Sequence, residues 1–105
     1  MSFITLATGK TMIATYKGER DKMLASGYSS DILTLSETFS KSEVDQISAQ
    51  TGCVSIRIYL GMDDTLNISA IVVGVDSSDN DILGLIMEVG IKCPFNCPKA
   101  SDLNS

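Results

Sequence analysis

Two cysteines near the end of the chain are the residues whose type and spacing most directly suggest chemistry. Cys93 and Cys97 are four positions apart and each precedes a proline, which gives a C-P-x-x-C-P pattern. Thiolates at this spacing can bind zinc, and Cys53 could supply a third ligand. Reduced structural thiols are the expected state, with zinc on Cys53, Cys93 and Cys97, a small disulfide loop or a redox couple as alternatives.

The remaining polar side chains do not form a catalytic constellation. The chain has no histidine, so the commonest general base and metal ligand near neutral pH is missing. Asp76, Ser78 and Asn80 imitate the first ligands of a calcium loop, but Asp81 stands where that loop needs glycine, so a polar turn is predicted. Gly9-Lys10-Thr11 lacks the upstream glycine of a phosphate-binding loop. We therefore expect a protein that is not an enzyme.

The net charge and the composition limit the possible classes of partner and the expected cellular location. The 105 residues include 8 Lys and Arg against 13 Asp and Glu, a formal charge of -5. An acidic chain repels phosphate backbones and anionic lipids, so neither nucleic acid nor a membrane is an expected partner. The first residues lack the charged and apolar regions of a signal peptide, and no apolar run is long enough to span a bilayer. A cytoplasmic protein with reduced cysteines is the expectation.

A β-hairpin from Cys53 to Val75 is the element around which the chain is organised. In its first arm Val54, Ile56, Ile58 and Leu60 alternate with polar residues or glycine, which predicts that this apolar set faces the core. The second arm is almost continuously apolar, as in a strand covered on both sides or packed against a partner. The residues from Gly61 to Thr65 predict a hairpin loop of four to six residues.

Two helical segments and further strands complete the predicted fold. A helix capped by Thr5 is expected to run to about Ala25, broken near Gly18. A short strand is expected between Tyr28 and Phe39, where Ile32 to Leu35 are β-compatible. Ser40 and Glu43 form a capping-box pattern that starts a second helix, which ends by Gly52. Ile82 to Val89 predicts another strand, with Gly84 at a bulge or close approach.

These elements together predict an α+β fold. We expect a three- or four-stranded antiparallel sheet with both helical segments packed on one face. The chain is expected to be a single domain, consisting of an N-terminal helical segment at 1–27, a strand-helix-hairpin core at 28–92 and a Cys- and Pro-containing tail at 93–105.

The stretch from Phe39 to Pro98 resembles a group of short, uncharacterised bacterial proteins. The shared features are Thr51-Gly52-Cys53-Val54 after the capped helix, Arg57-Ile58-Tyr59, Val73-Gly74-Val75-Asp76 with Asn80-Asp81, and the terminal Cys93-Pro94 and Cys97-Pro98. The resemblance covers a little over half of the chain and implies one intact domain. It implies no activity, cofactor or partner.

The function predicted from these observations is a non-enzymatic self-assembling or protein-interaction module. An apolar second arm in so short a chain favours burial against a partner, either a second copy or another protein. The predicted interface residues are Arg57 and Tyr59 on the first arm and Ile71 and Val73 on the second. The alternatives are a cysteine-dependent metal-binding or thiol redox module, and an accessory subunit that binds a larger protein through the hairpin edge.

Overall fold

The computed structural model describes residues 3–88, 91–93, 97, 101 and 103, and it has the predicted α+β fold. Its helices are α1 (Leu6–Glu19) and α2 (Lys41–Ser48), with short 3-10 helices at Arg20–Met23 and Ser30–Ile32. Its strands are β1 (Ser36–Thr38), β2 (Ser55–Met62), β3 (Ile68–Val75), β4 (Asp81–Glu88) and β5 (Ile91–Cys93). Among these residues β2, β3 and β4 form one antiparallel sheet in that order, and β1 pairs with β5 in a second.

The predicted hairpin is confirmed as the centre of the larger sheet. Strands β2 and β3 pair in one unbroken register of eight residues, from Ser55 opposite Val75 to Met62 opposite Ile68. The loop lies further along than predicted, because β2 continues through Gly61 and Met62. It closes where the amide of Asp63 donates to the carbonyl of Asn67 at 3.0 Å.

Strand β4 is irregular where it faces β3. Gly74 pairs with Ile82 and Val72 pairs with Met87, so the single β3 residue between them lies opposite four residues of β4. Those four residues, 83–86, form a bulge that contains Gly84, as the sequence predicted. Strand β4 is therefore a bent outer strand, whereas β2 is a regular one.

Helix α2 lies on one face of this sheet and makes the core. Ile47 of α2 packs with Val72 of β3 and Met87 of β4, and Phe39 and Val44 pack against this cluster. Ser40 is the N-cap as predicted, but its side chain makes no capping hydrogen bond. The helix therefore begins through its backbone alone, with the amide of Val44 donating to the carbonyl of Ser40 at 3.1 Å.

The N-terminal helix is joined to the segment at 30–34. The Thr5 side chain caps α1 by accepting from the amide of Thr8 at 3.1 Å, as predicted. Tyr16 donates to the carbonyl of Thr34 at 2.8 Å, and Arg20 donates to that of Leu33 at 2.8 Å. Packing of both helical segments on one sheet face stays a prediction.

Within the described part of the chain, no helix is both long and apolar enough to cross a bilayer.

Two details of the predicted strands differ in the structure. The short strand expected between Tyr28 and Phe39 is present at Ser36–Thr38, after the β-compatible residues at 32–35, because the stretch begins as the 3-10 helix Ser30–Ile32. Ser29 causes the turn, because its hydroxyl accepts from the amide of Asp31 at 3.2 Å and so favours a local fold over extended backbone. The second difference concerns which residues of β2 are buried.

The apolar residues of the first hairpin arm were expected in the core and are exposed. Val54, Ile56, Ile58 and Leu60 retain 43% to 76% of their accessible surface, and Met62, which was expected in the hairpin loop, retains 56%. The reason is the size of the covering element, since α2 has eight residues and is only about 12 Å long. Its core contacts are with Val72 and Met87, which lie on β3 and β4 and leave the β2 side of the face open.

The contact between α2 and β3 predicts a strict size limit at Gly74. A methyl group at this position would lie 2.9 Å from Sγ of Cys53 and 3.2 Å from Nε2 of Gln50. Gly74→Ala should therefore lower the free energy of unfolding by about 1–2 kcal/mol through overpacking, as measured by urea denaturation. In a Cys53→Ala background Gly74→Ala should destabilise the protein less, because the closest atom, Sγ of Cys53, is absent.

Gly18 provides the matched control for this change. It lies inside α1, and a methyl group added there would meet no atom within 4 Å beyond the helix's own backbone and the adjacent residues. Gly18→Ala should stabilise the protein by about 0.5–1 kcal/mol through helix propensity. Equal effects of the two alanine substitutions would contradict the described packing.

Candidate functional site

The exposed apolar side chains of β2 form the candidate site. Ile56, Ile58, Leu60 and Met62 alternate along the strand, so they project from the same side of the sheet. We call these four side chains the β2 face. Val54, directly before the strand, is also exposed, at 64%. A run of this kind on one strand can bind another apolar surface, because its burial removes apolar area from water.

The backbone of β2 adds a second feature, an open edge. β2 is the first strand in the order β2-β3-β4, so only one of its sides is paired within the described sheet. Antiparallel pairs alternate between hydrogen-bonded and non-bonded. Asp63 donates to Asn67, which makes the odd-numbered positions of β2 the bonded ones. The even-numbered residues Ile56, Ile58 and Leu60 therefore direct their N–H and C=O groups outward.

The opposite side of the sheet is covered by its own polar side chains. Arg57 of β2 donates to Asp81 at 2.5 Å and to Asp79 at 2.6 Å. These bonds cross over β3, where Val73 and Val75 are each only 3% exposed. The hydroxyl of Tyr59 also donates to Asp81. This network lies over Val73 and Val75 on the side of the sheet away from α2.

Hydrogen bonding fixes the charge state of this network. The Tyr59 hydroxyl and then the Arg57 guanidinium stabilise the ionised carboxylate and hold the pKa of Asp81 below its usual value. The bond to Asp81 in turn raises the pKa of Arg57. Both charged groups are thus directed at each other, which suits a structural role better than binding of a ligand.

The four predicted interface residues lie on this covered side. Arg57 and Tyr59 contact Asp81, and Tyr59 stays 45% exposed, whereas Val73 is buried and Ile71 is half-buried. Their role as an interface stays a prediction. The residues that sequence reasoning missed are those of the β2 face, although the alternation that identifies them is plain. One signal was available: the apolar residues on the strands are more numerous than a single eight-residue helix can cover.

The hairpin loop carries a second polar cluster. The Asp63 carboxylate accepts from the amide and hydroxyl of Thr65, at 2.9 and 2.8 Å, and from the amide of Asn67 at 3.0 Å. Lys92 of β5 lies 3.6 Å from it. Asp63, Thr65 and Glu88 border an open cavity of about 450 Å³. The Asp63 carboxylate is directed into its own turn, so the cluster positions the loop.

Glu37 links the two sheets. Its Oε2 accepts from the amide of Ala70 at 2.8 Å, in β3 beyond the last β4 pair. Its neighbour across the smaller sheet is Lys92. Glu37 Oε1 is buried without a hydrogen-bond partner in the described structure. Because only one of its oxygens is satisfied, this carboxylate closes part of the β3 edge at some cost in solvation.

The cysteines are arranged differently from the expectation of reduced thiols. Cys93 and Cys97 form a disulfide, and Cys93 is 1% exposed. The physical reason is geometric, since their Cα atoms are 4.5 Å apart, within the range that a disulfide spans. Cys53 is a free cysteine, and it lies close to Gly74 on the face of the sheet that α2 covers.

The described residues do not form a recognisable metal site. No group of three or more His, Cys, Asp or Glu that could hold a metal occurs in the described part of the chain. Zinc on Cys53, Cys93 and Cys97 stays a prediction, and it requires reduction of the Cys93–Cys97 disulfide, because zinc binds thiolates. The polar turn predicted at Asp76 is confirmed, because its carboxylate accepts from the amides of Ser78 and Asn80 at 2.9 and 3.0 Å.

Comparison with known proteins adds no functional information. No protein-family model, curated protein or solved structure matches the chain. The resemblance to short bacterial proteins stays a prediction, and the case for a function rests on the geometry of the β2 face and its surroundings.

The Asp63 turn predicts a specific loss of stability in acid. Its hydrogen bonds, first that from the Thr65 hydroxyl and then that from the Asn67 amide, lower the pKa of Asp63 from 3.8 to about 2. A lowered folded-state pKa gives stability that is complete above pH about 4 and is lost as the pH falls toward 2. The gap in unfolding free energy between wild type and Asp63→Asn should therefore shrink across this window in urea titrations.

Asp64→Asn is the charge-matched control for this titration. It removes one negative charge from the same loop without touching the carboxylate that accepts the three bonds. This variant keeps the Asp63 carboxylate and its three hydrogen bonds, so it should keep the loss of stability that they cause as the pH falls toward 2. A constant gap for Asp63→Asn over the same range would contradict the assigned role of Asp63.

Proposed function

We propose that the protein is a non-enzymatic self-assembling module whose interface is the β2 face. The observation that carries this proposal is the exposure of four large apolar side chains on one regular strand, with Leu60 at 76%. Single exposed apolar residues are ordinary on protein surfaces, but an aligned row is typical of an interaction site.

The size of the patch supports an interface. At the observed exposures the β2 face and Val54 together leave roughly 500 Å² of apolar surface in water, which lies toward the upper end for the largest patch on a monomer. Contact between two such rows, together with the strand edge beside them, can approach the roughly 1,000 Å² of buried surface that a specific association needs. A second copy supplies a surface of the right size and the same chemistry.

The charge distribution supports association by apolar contact. The formal charge of -5 per chain makes copies repel at long range. The β2 face itself consists of two isoleucines, a leucine and a methionine, so it can be buried without desolvating a charge. Added salt should screen the repulsion and strengthen assembly, in contrast to an interface held by ion pairs.

The engagement of the reactive side chains supports a role without catalysis. Arg57, Tyr59 and Asp81 satisfy one another, and the Asp63 carboxylate is bound within its own turn. A catalytic group has to be available to a substrate in a cleft. These groups instead hold together the hairpin that presents the β2 face.

Leu60→Lys tests the proposed interface. Leu60 is the most exposed residue of the β2 face, so the monomer should keep its stability and its circular dichroism spectrum. In a symmetric dimer the change removes two apolar contacts worth roughly 1–2 kcal/mol each and adds two charges. The dissociation constant should rise at least about 100-fold, as measured by sedimentation equilibrium.

Met23→Lys is the matched control. Met23 is exposed to a similar degree, 65%, but lies on the 3-10 helix after α1. This variant should assemble like the wild type. A wild-type protein that stays monomeric at high micromolar concentration would overturn the proposal, and stable binding of a different protein to this face with no self-association would favour the accessory-subunit alternative.

A further inference from the structure

The structure also indicates how two copies meet, an inference that rests on the proposed function. We propose that β2 of one copy pairs antiparallel with β2 of a second copy, centred on Ile58. The two three-stranded sheets then become one continuous six-stranded sheet. The partner is a second copy of this chain, and the contact is made by backbone hydrogen bonds as well as by side chains.

The two outer strands of the larger sheet differ in their suitability for such pairing. Strand β4 is interrupted by the bulge at 83–86, and bulges protect sheet edges from pairing. Strand β2 keeps an unbroken register over eight residues. It contains no proline, and its only charged residue is Arg57, whose side chain is drawn across β3 to Asp81. The β2 edge therefore lacks the features that usually prevent an edge strand from pairing with another chain.

The outward backbone groups of β2 supply the bonds. Because the odd-numbered positions bond to β3, Ile56, Ile58 and Leu60 each direct one N–H and one C=O away from it. In an antiparallel pair centred on Ile58, Ile58 lies opposite its own copy and Ile56 lies opposite Leu60. These three residues of each copy form roughly six hydrogen bonds across the junction.

Side-chain pairing favours the centre at Ile58 over its neighbours. A shift that places Ile56 opposite Ile58 would bring Arg57 directly opposite its own copy, and like charges in that position are unfavourable. A shift in the other direction would place Arg57 opposite Gly61, which offers no side chain. Centred on Ile58, the pair places Arg57 opposite Tyr59, so the arginine stem packs beside an aromatic ring.

The symmetry of this contact gives a closed dimer. A strand paired with its own copy is related to it by a two-fold axis, and such an interface is satisfied by two chains. With the axis perpendicular to the sheet, both β2 faces lie on the same side. Ile56, Ile58 and Leu60 of the two copies then pack side by side across the junction, so each copy covers one flank of the other's row. The joined rows lie between the two α2 helices on β3 and β4.

Disulfide trapping tests the register. In a Cys53→Ala background, Ile58→Cys should cross-link to its own copy under mild oxidation, because the Cα atoms of a bonded antiparallel pair are about 5.5 Å apart. Leu60→Cys is the matched control on the same face, since its own copy would lie four positions away, roughly 13 Å along the strand. We expect at least about tenfold more covalent dimer for Ile58→Cys on non-reducing gels, with the linked peptides identified by mass spectrometry.

A mixture of two variants tests the register independently if Ile58→Cys alone weakens the dimer. Ile56→Cys and Leu60→Cys should each stay uncross-linked alone and form a mixed covalent dimer when combined. Native mass spectrometry of the reduced variants reports assembly separately. An oligomer with no preference for these pairs would overturn the edge register while leaving the proposed function standing, whereas monomers without cross-links would overturn both.

Discussion

The unbroken pairing of β2 with β3 is the constraint on which the rest of the structure depends. Eight consecutive backbone pairs determine which side chains share a face, and a slip of one residue would exchange the two faces completely. In the observed register Arg57 lies opposite Val73, and Ile58 lies opposite Val72. Every later feature, from the polar network to the exposed apolar row, follows from this assignment.

The two faces are covered in different ways, and the difference explains the candidate interface. On the odd-numbered side, Arg57 and Tyr59 reach across β3 to Asp81 and close the surface. On the even-numbered side, α2 covers Val72 and Met87 through Ile47. The close approach at Gly74 lets α2 lie directly on β3, but the helix is too short to extend over β2. We propose that a second copy packs beside β2 and covers part of this row.

Local signals in the sequence predicted most of the fold. The hairpin, the start of α2 at Ser40, the cap at Thr5 and the polar turn at Asp76 all depend on neighbouring residues, and each is confirmed. The strand expected between Tyr28 and Phe39 begins only at Ser36, because a serine turn overrides the weak β propensity of the residues at 32–35.

The candidate site was harder to predict, for a physical reason. Alternation at Ile56, Ile58 and Leu60 shows that one face is apolar, but it cannot show whether the protein's own helix or a partner covers that face. Burial of that face depends on the length and position of α2, which are tertiary properties. The Cys93–Cys97 pairing likewise depends on the 4.5 Å separation of their Cα atoms, a distance that the sequence spacing alone does not determine.

Amide hydrogen exchange of β2, resolved residue by residue, tests the central claim most directly. The amides of Arg57 and Tyr59 bond to β3 within one chain, so they should be protected at every protein concentration. The amides of Ile56, Ile58 and Leu60 should be protected only where copies associate, and should lose protection on dilution. Rapid exchange of these three at high concentration, with their odd-numbered neighbours still protected, would contradict edge pairing of β2.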